Sequence, residues 1–178
     1  MITDKIIERT KRFEGFEDKP YKDTVGKTTI GYGRNLEANP LTLSELMVLL
    51  NRVEWKSKGD AEDWAEMLLK RDLERHTREI RDNFPLEEQP DNVRAVLIDM
   101  GYNVGIPSLM SFQGMLHAIH NRDYKQAAVE LLDSKYAEQV KTRAVDNAKM
   151  LSHADFSEVT RRLETKNPRR YKIIEGYL

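Results

Sequence analysis

The chain has 178 residues, of which 39% are hydrophobic and 33% charged, a composition typical of soluble globular proteins and unlike that of disordered chains. Its formal net charge of −1 gives no global attraction for a polyanion, so we expect no nucleic-acid partner. The absence of cysteine excludes disulfides and thiol chemistry.

The charge is unevenly distributed along the chain. Residues 139–178 hold nine Lys and Arg against five Asp and Glu, whereas the remainder holds 20 against 25. A basic tail is compatible with attraction to an anionic wall or membrane surface. It is more simply the ordinary composition of a solvated helical surface, and the sequence leaves both interpretations open.

The amino-terminal residues predict a short helix. It covers Asp4 to about Phe13, with Thr3 as its cap and apolar residues along one face. The same segment contains no apolar run long enough for a secretory signal or a membrane anchor. We therefore expect the protein to accumulate in the cytoplasm in which it is made.

A small hairpin follows this helix. Two strands are predicted, Phe16–Lys22 and Thr28–Arg34, around a turn in which Gly26 supplies the backbone freedom. Pro20 lacks a backbone donor, so it restricts the first strand to a sheet edge or a bulge.

From Leu41 the pattern is helical almost to the end. A short helix is predicted at Thr42–Val53, and a long one from Asp60 to about Asn83. One early hairpin followed by helices predicts an α+β fold, as a single domain with lobes at about 1–60 and 84–178 bridged by that long helix. Further helices are expected at Asp91–Val104, Ser108–Asn121, Asp123–Leu132, Ala137–Leu151, Phe156–Thr165 and Pro168–Gly176.

Glu14 and Asp23 are the candidate catalytic residues. Glu14 comes where the first helix ends, and Asp23 at the hairpin turn. Glycoside hydrolysis uses two carboxyl groups in different settings, one protonated for the leaving oxygen and one ionised to activate water or attack the sugar. A helix carboxyl terminus and apolar neighbours disfavour the anion of Glu14, whereas Asp23 lies among polar residues. The local sequence therefore favours Glu14 as the acid and Asp23 as the base.

The same segment resembles a known family. A helix ending in Glu-Gly, then Tyr-x-Asp-x-x-Gly and Thr-Ile-Gly-x-Gly, is the signature of the phage-type lysozymes, the endolysin muramidases of glycoside hydrolase family 24. The residues that match this signature without a gap are Glu14-Gly15, Tyr21-Lys22-Asp23, Gly26 and Thr29-Ile30-Gly31-Tyr32-Gly33. The likeness continues more faintly over roughly residues 1 to 151, through Asp91–Gly105, Asp123–Ala128 and Arg143.

The resemblance implies a lysozyme-like fold and hydrolysis of the β-1,4 bond between N-acetylmuramic acid and N-acetylglucosamine in peptidoglycan polysaccharide. It implies that Glu14 is the proton donor, that Asp23 positions or activates water and that Thr29 helps to hold this water. Inversion at the anomeric carbon is the implied outcome, which requires roughly 6.5–9.5 Å between the carboxyl groups. No cofactor or metal is implied.

Other positions follow from the resemblance alone. Tyr102, Asn103, Tyr136 and Gln139 are expected to bind substrate, and Arg143 matches an arginine near the acid. Many relatives have histidine where this chain has Arg34, and there it pairs with an aspartate on the long helix. Asp72 is the candidate partner here, and an arginine in that pair removes the pH sensitivity of histidine.

The resemblance also implies a biological setting. A phage endolysin without a signal stays in the host cytoplasm until a holin lets it reach the periplasm and cell wall. The holin is needed functionally and no direct binding to it is implied. We expect a monomer.

Several alternatives remain open at this stage. A non-catalytic wall-binding or structural protein could keep the same fold. A lytic transglycosylase needs an acid but no water-activating aspartate, so Asp23 and Thr29 argue against it. A chitinase-like activity would use the same bond geometry. His117 and His120 have helical spacing that metal sites use, but no third ligand is near them in the sequence, and we predict no metal.

Overall fold

The computed structural model describes residues 2–24, 26–50, 58–153 and 156–178. The predicted end of the second helix at Val53 lies outside the described residues. The chain divides into two compact units, Met1–His76 and Thr77–Leu178. Its helices and small antiparallel sheet confirm the α+β class predicted from the sequence.

The first unit opens with helix α1, Asp4–Glu14, which buries Ile6 and Ile7. Thr3 precedes it in an extended conformation, but its side chain makes no capping hydrogen bond, so the predicted cap is wrong. The backbone carbonyl of Thr3 instead accepts from the amides of Ile6 and Ile7, at 2.9 and 3.2 Å. The main chain thus closes the first turn without help from the hydroxyl.

The sheet has three strands where two were predicted. Its antiparallel order is β1-β2-β3, with β1 at Glu17–Lys22, β2 at Thr28–Gly31 and β3 at Arg34–Asn35. The predicted return strand is divided because Gly31 and Gly33 adopt φ of +64° and +83°, which turns the chain back on itself. Pro20 lies on the edge strand, within an irregularity of the register, as predicted.

Two helices complete the first unit. Helix α2 covers Leu43–Leu50, and helix α3 covers Lys58–Arg81, ending two residues before the predicted Asn83. Apolar side chains of α3 form much of the core of this unit, among them Trp64, Leu68 and Leu73. Within the described ranges, no helix is both long enough and apolar enough to cross a bilayer.

The second unit is helical. Its helices are α4 Asp91–Val104, α5 Ile106–Met110, α6 Gln113–His120, α7 Tyr124–Leu132, α8 Lys135–Val140, α9 Thr142–Ser152, α10 Phe156–Lys166 and α11 Pro168–Ile174, with short 3-10 turns at Leu86–Glu88 and Glu175–Tyr177. Helix α7 lies at its centre and packs against α6, α9 and α10. The apolar side chains of α7 are buried, in agreement with the helix predicted at Asp123–Leu132.

Two predicted helices of this unit are each divided in the structure. The helix expected at Ser108–Asn121 breaks after Met110, and the one expected at Ala137–Leu151 breaks at Lys141. Lys141 has a φ of +41°, outside the helical region, so α8 ends there and α9 starts in a new direction. Apolar periodicity continues on both sides of each break, which is why the sequence pattern did not reveal it.

Replacing Leu73 by alanine should destabilise the protein by about 2–5 kcal/mol, because the side chain is fully buried and its loss leaves a cavity. Glu74→Ala is the matched control, since Glu74 is the next residue of α3 and is exposed. Urea unfolding followed by circular dichroism measures both. Equal stability of the two variants would contradict the position of Leu73 in the core.

Candidate active site

Glu14 is the last residue of α1 and lies against the turn that joins β2 to β3. A Cβ atom placed on Gly33 would come within 2.9 Å of Oε2 of Glu14, so the carboxylate packs directly on the backbone of this glycine. The aromatic rings of Phe16 and Tyr32, which flank this region in the sequence, contact each other with centroids 5.4 Å apart and an interplanar angle of 45°. Glu14 itself is half-buried, in a setting that is part apolar and part open to solvent.

Asp23 occupies the turn between β1 and β2. Its Oδ1 accepts a hydrogen bond from the backbone amide of Lys27 at 2.7 Å, and its own amide donates to the carbonyl of Lys27 at 2.9 Å. The amide of Gly26 donates to the carbonyl of Asp23 at 3.0 Å. The turn therefore holds both the backbone and the carboxylate of Asp23 in place.

Tyr21 lies in the electrostatic field of both candidate carboxylates. Burial raises the pKa of its phenol above the ordinary value of 10.0, and the charges of Glu14, Glu17 and Asp23 raise it further. The phenol therefore stays protonated at neutral pH and can donate a hydrogen bond. Sequence reasoning did not select Tyr21 as a site residue, although it is the tyrosine of the Tyr-x-Asp motif.

Thr29 lies on the same face of the β-hairpin as Tyr21. The two residues are directly paired in the β1–β2 register, and Thr29 is 3% exposed. Its hydroxyl donates to the carbonyl of Lys27 at 3.3 Å, the residue whose amide holds Asp23. The hydroxyl oxygen keeps acceptor capacity for a further hydrogen bond.

Arg34 is buried on β3, directly after Gly33. Its guanidinium donates to both carboxylate oxygens of Glu45, at 3.2 and 3.1 Å, and lies 3.8 Å from the predicted partner Asp72. It also donates to the backbone carbonyls of Asn39 at 3.2 Å and Pro40 at 3.0 Å. Glu45 is thus the closer partner, and the arrangement connects β3, the following loop, α2 and α3.

Sequence reasoning missed Glu45, although part of its role has a sequence signal. Thr42 and Glu45 form a reciprocal capping box, with the amide of Thr42 donating to Glu45 at 2.8 Å and the amide of Glu45 donating to the Thr42 hydroxyl at 3.3 Å. The Thr-x-x-Glu spacing predicts this box. The pairing with Arg34 depends on tertiary packing and has no such signal.

The candidate residues of the second unit fall on three helices. Tyr102 and Asn103 are half-buried near the end of α4, whereas Tyr136 is buried and Gln139 exposed on α8. Tyr136 packs edge-on against Phe112, with ring centroids 5.8 Å apart.

Arg143, on α9, is buried and forms a fork with Asp99 at 2.9 and 3.1 Å. Asn147 donates to the same carboxylate at 3.1 Å. Asp99 therefore fixes the guanidinium within the second unit. Among the described residues, no group of three or more His, Cys, Asp or Glu side chains could hold a metal ion.

Comparison with known proteins identifies the family. A model of the phage lysozyme family matches residues 11–150, which is most of the chain. The chain belongs to the phage lysozyme family. It is also 29% identical over 150 residues to "Probable T4-type lysozyme 1" of Dictyostelium discoideum, a match that covers 78% of this chain and 88% of that relative.

Membership of the phage lysozyme family defines the class of chemistry. The protein is a glycoside hydrolase of the muramidase type, and its family implies a peptidoglycan substrate. The lysozyme-like α+β fold expected from the resemblance is confirmed. The hairpin that carries Asp23 and Thr29 lies inside the matched range, as does Glu14.

The Arg34 network of this lysozyme contains two carboxyl groups whose pKa values move in opposite directions. Burial opposes the ionisation of Glu45, but hydrogen bonds from the Thr42 amide, Arg71 and Arg34 outweigh it and lower the pKa to about 2. Burial raises the pKa of Asp72, and the nearby charges of Arg34 and Arg75 only partly offset this effect. Glu45 is therefore the stronger anionic partner of the network.

We expect Glu45→Gln to destabilise the protein by about 3 kcal/mol at neutral pH, because it removes the closer carboxylate partner of the buried Arg34. Glu45 has a lowered pKa in the folded state, so its contribution is complete above pH about 4.5 and is lost as the pH falls toward about 2. The stability difference between wild type and variant should shrink over this window. Denaturant unfolding at several pH values measures it.

The control for this prediction is Glu74→Gln, which removes an exposed acid from α3. It should change stability little at any pH. A loss for Glu45→Gln that is equally small, or that stays constant down to pH 2, would contradict the assigned role of Glu45.

Proposed function

We propose that this protein is an endolysin muramidase that hydrolyses the β-1,4 bond between N-acetylmuramic acid and N-acetylglucosamine, with Glu14 as general acid and Asp23 as general base. One observation carries the assignment: the two carboxyl groups lie in different settings, since Glu14 packs on the backbone of Gly33 whereas Asp23 accepts a hydrogen bond from the amide of Lys27. Glycoside hydrolysis requires such a pair. The family supplies the reaction class, and the sequence motif supplies the candidates within it.

Glu14 performs the first proton transfer in this mechanism. Its carboxylic acid protonates the glycosidic oxygen as the bond from that oxygen to the anomeric carbon breaks. Packing on the backbone of Gly33 holds the carboxyl group in one orientation. This restriction matters because proton transfer needs the donor within hydrogen-bond reach of the leaving oxygen.

Asp23 and Thr29 act on the water. The carboxylate of Asp23 takes a proton from a water molecule whose oxygen bonds to the anomeric carbon, while the Thr29 hydroxyl accepts a hydrogen bond that orients this water. After the reaction Glu14 is ionised and Asp23 protonated, and exchange with solvent restores both. Attack from the face opposite the leaving group gives inversion.

Tyr21 adds a hydrogen-bond donor that experiences the charge of both carboxyl groups. Since its pKa is raised by burial and by their negative charges, its hydroxyl remains a donor at neutral pH. In this proposal it donates to the bound sugar. From the family resemblance we retain Tyr102, Asn103, Tyr136 and Gln139 as substrate-binding candidates and Arg143 as a supporting residue, while the Arg34 and Asp72 pair supports the turn that carries Gly33.

The proposed roles are tested by clearing of permeabilised Gram-negative cells. Glu14→Gln and Asp23→Asn should each lower the rate at least about a hundredfold while the protein stays folded. Glu17→Gln is the matched control, because Glu17 is an exposed acid of the same hairpin, and it should retain most activity. Equal clearing by wild type and Glu14→Gln would mean that Glu14 is not the acid.

The stereochemical outcome tests the role of Asp23 independently. Proton NMR during the first minutes of digestion of soluble peptidoglycan fragments distinguishes the two anomers before they equilibrate. We expect the α-anomer first, since inversion converts a β bond into an α product. First release of the β-anomer would indicate a covalent intermediate and make Asp23 a nucleophile instead.

Gly33→Ala tests whether the turn positions the acid. The added methyl would lie 2.9 Å from the Glu14 carboxylate, so the carboxyl group must move, and we expect a loss of activity of about a hundredfold. Gly105→Ala is the matched control, because its φ of +80° imposes the same backbone strain but no heavy atom lies within 4 Å. Equal activity of the two folded variants would contradict a positioning role for Gly33.

The biological role in this proposal is lysis of a bacterial host at phage release. A membrane-permeabilising holin would provide access to the wall, acting functionally and without binding the enzyme, which works as a monomer. Expression with and without a holin in a bacterial host tests this: lysis only with the holin supports the proposal. Lysis by the enzyme alone would indicate another route across the membrane.

A further inference from the structure

We propose that the outer surface of α11, together with the start of α8, binds the free carboxylates of the peptide stems in peptidoglycan. We call this surface the α11 basic face and define it by Lys135, Arg169 and Lys172. The inference rests on peptidoglycan as the substrate, but it does not depend on the roles of Glu14 and Asp23. Arg169 and Lys172 lie beyond the residues that the family model matches.

The charge distribution makes the end of the chain its electropositive part. Residues 139–178 carry nine basic and five acidic residues, whereas the rest of the chain carries 20 and 25. A polyanionic wall therefore repels most of the chain and attracts this segment. Attraction of this kind orients a protein on a charged surface as well as concentrating it there.

Four of the nine basic residues of this segment are already paired with acidic partners. The pairs are Arg143–Asp99, Arg162–Glu158, Lys166–Glu130, Lys166–Asp133 and Arg170–Glu138. Lys135, Arg169 and Lys172 are exposed, and none of them has an acidic partner within ion-pair distance among the described residues. These cations are thus available to an external anion.

The three cations of the α11 basic face surround one exposed apolar side chain. Arg169, Lys172 and Ile173 have the i, i+3, i+4 spacing that places them on one face of α11. Lys135 and Arg169 line one depression with Ile173, and Arg169 and Lys172 line the adjoining one with the same isoleucine. Ile173 is 38% exposed.

One acidic residue also lines the first depression. This is Glu138, and its carboxylate is already held by Arg170. The depression therefore keeps an excess of positive charge. An arginine fork suits a carboxylate in particular, because two parallel N–H groups can meet its two oxygens.

The chemistry of the face favours a wall peptide over a membrane. A helix that binds a bilayer surface needs a broad apolar face, whereas α11 has seven residues and Ile173 is its single large exposed hydrophobic side chain. A short peptide that ends in a carboxylate needs only a cation and a small apolar contact. Peptidoglycan presents many such peptides on one insoluble lattice, so weak contacts add by multivalency.

The test is sedimentation of the protein with insoluble peptidoglycan at low salt. Arg169→Gln/Lys172→Gln should weaken binding about fivefold, the size expected for two exposed ion pairs. Arg122→Gln/Arg161→Gln is the matched control: it removes the same charge from two other exposed arginines without acidic partners in the described chain, and it should bind like wild type. The difference should disappear at high salt, where exposed charges are screened.

Activity on soluble fragments separates this inference from the catalytic proposal. Both double variants should hydrolyse soluble fragments at the wild-type rate, whereas Glu14→Gln should bind the wall normally without hydrolysing it. Amidating the wall carboxylates should abolish the difference in wall binding between wild type and Arg169→Gln/Lys172→Gln. Removing phosphate-bearing polymers from the wall should leave this difference in binding unchanged, and vesicles of anionic phospholipid should not sediment the protein.

Three results would overturn the inference. Equal binding by wild type and Arg169→Gln/Lys172→Gln would remove the face as a binding site. An equal loss of binding in the Arg122→Gln/Arg161→Gln control would show that binding depends only on the net charge of the protein. Dependence on wall phosphates or on lipid, instead of on carboxylates, would assign the face to a different anion.

Discussion

A buried guanidinium on the shortest strand is the constraint on which the proposed active site depends. Arg34 is 6% exposed, and its donors meet the carboxylate of Glu45 and two backbone carbonyls of the following loop. A buried charge of this kind is tolerated only when it is fully paired, so the strand, the loop and two helices must keep their relative positions. Gly33 directly precedes Arg34, and the Glu14 carboxylate packs on it. The network therefore holds the backbone surface on which the proposed acid rests.

The acidic residues of the first unit accordingly divide into two kinds. Glu45 and Asp72 are buried and lie beside cations, so both carboxyl groups serve to stabilise the fold. Glu14 and Asp23 are half-buried and act together on the phenol of Tyr21. Structural anions are thus separated from the groups proposed for chemistry, and the arginine at position 34 supplies these structural anions with a cation that does not titrate near neutral pH.

The sequence predicted those features that depend on local periodicity or on contiguous motifs. The first helix, the hairpin around Asp23, the long helix and the amphipathic α7 were all expected, and so was the family. The third strand was not, because it exists only through the positive φ angles of Gly31 and Gly33. Glu45 could be predicted as a helix cap, but its pairing with Arg34 joins residues eleven positions apart through tertiary packing. The break at Lys141 interrupts no apolar pattern, so periodicity could not reveal it.

The central claim is that water, activated at Asp23, cleaves the bond whose leaving oxygen Glu14 protonates. Digestion of purified peptidoglycan in ¹⁸O-labelled water, followed by mass spectrometry of the products, tests this claim most directly. We expect muramic acid at the new reducing end, carrying one ¹⁸O atom. An anhydro-muramic product without label would show that no water attacks. A labelled N-acetylglucosamine at the new reducing end would show that the enzyme cleaves the other glycosidic bond of the polymer.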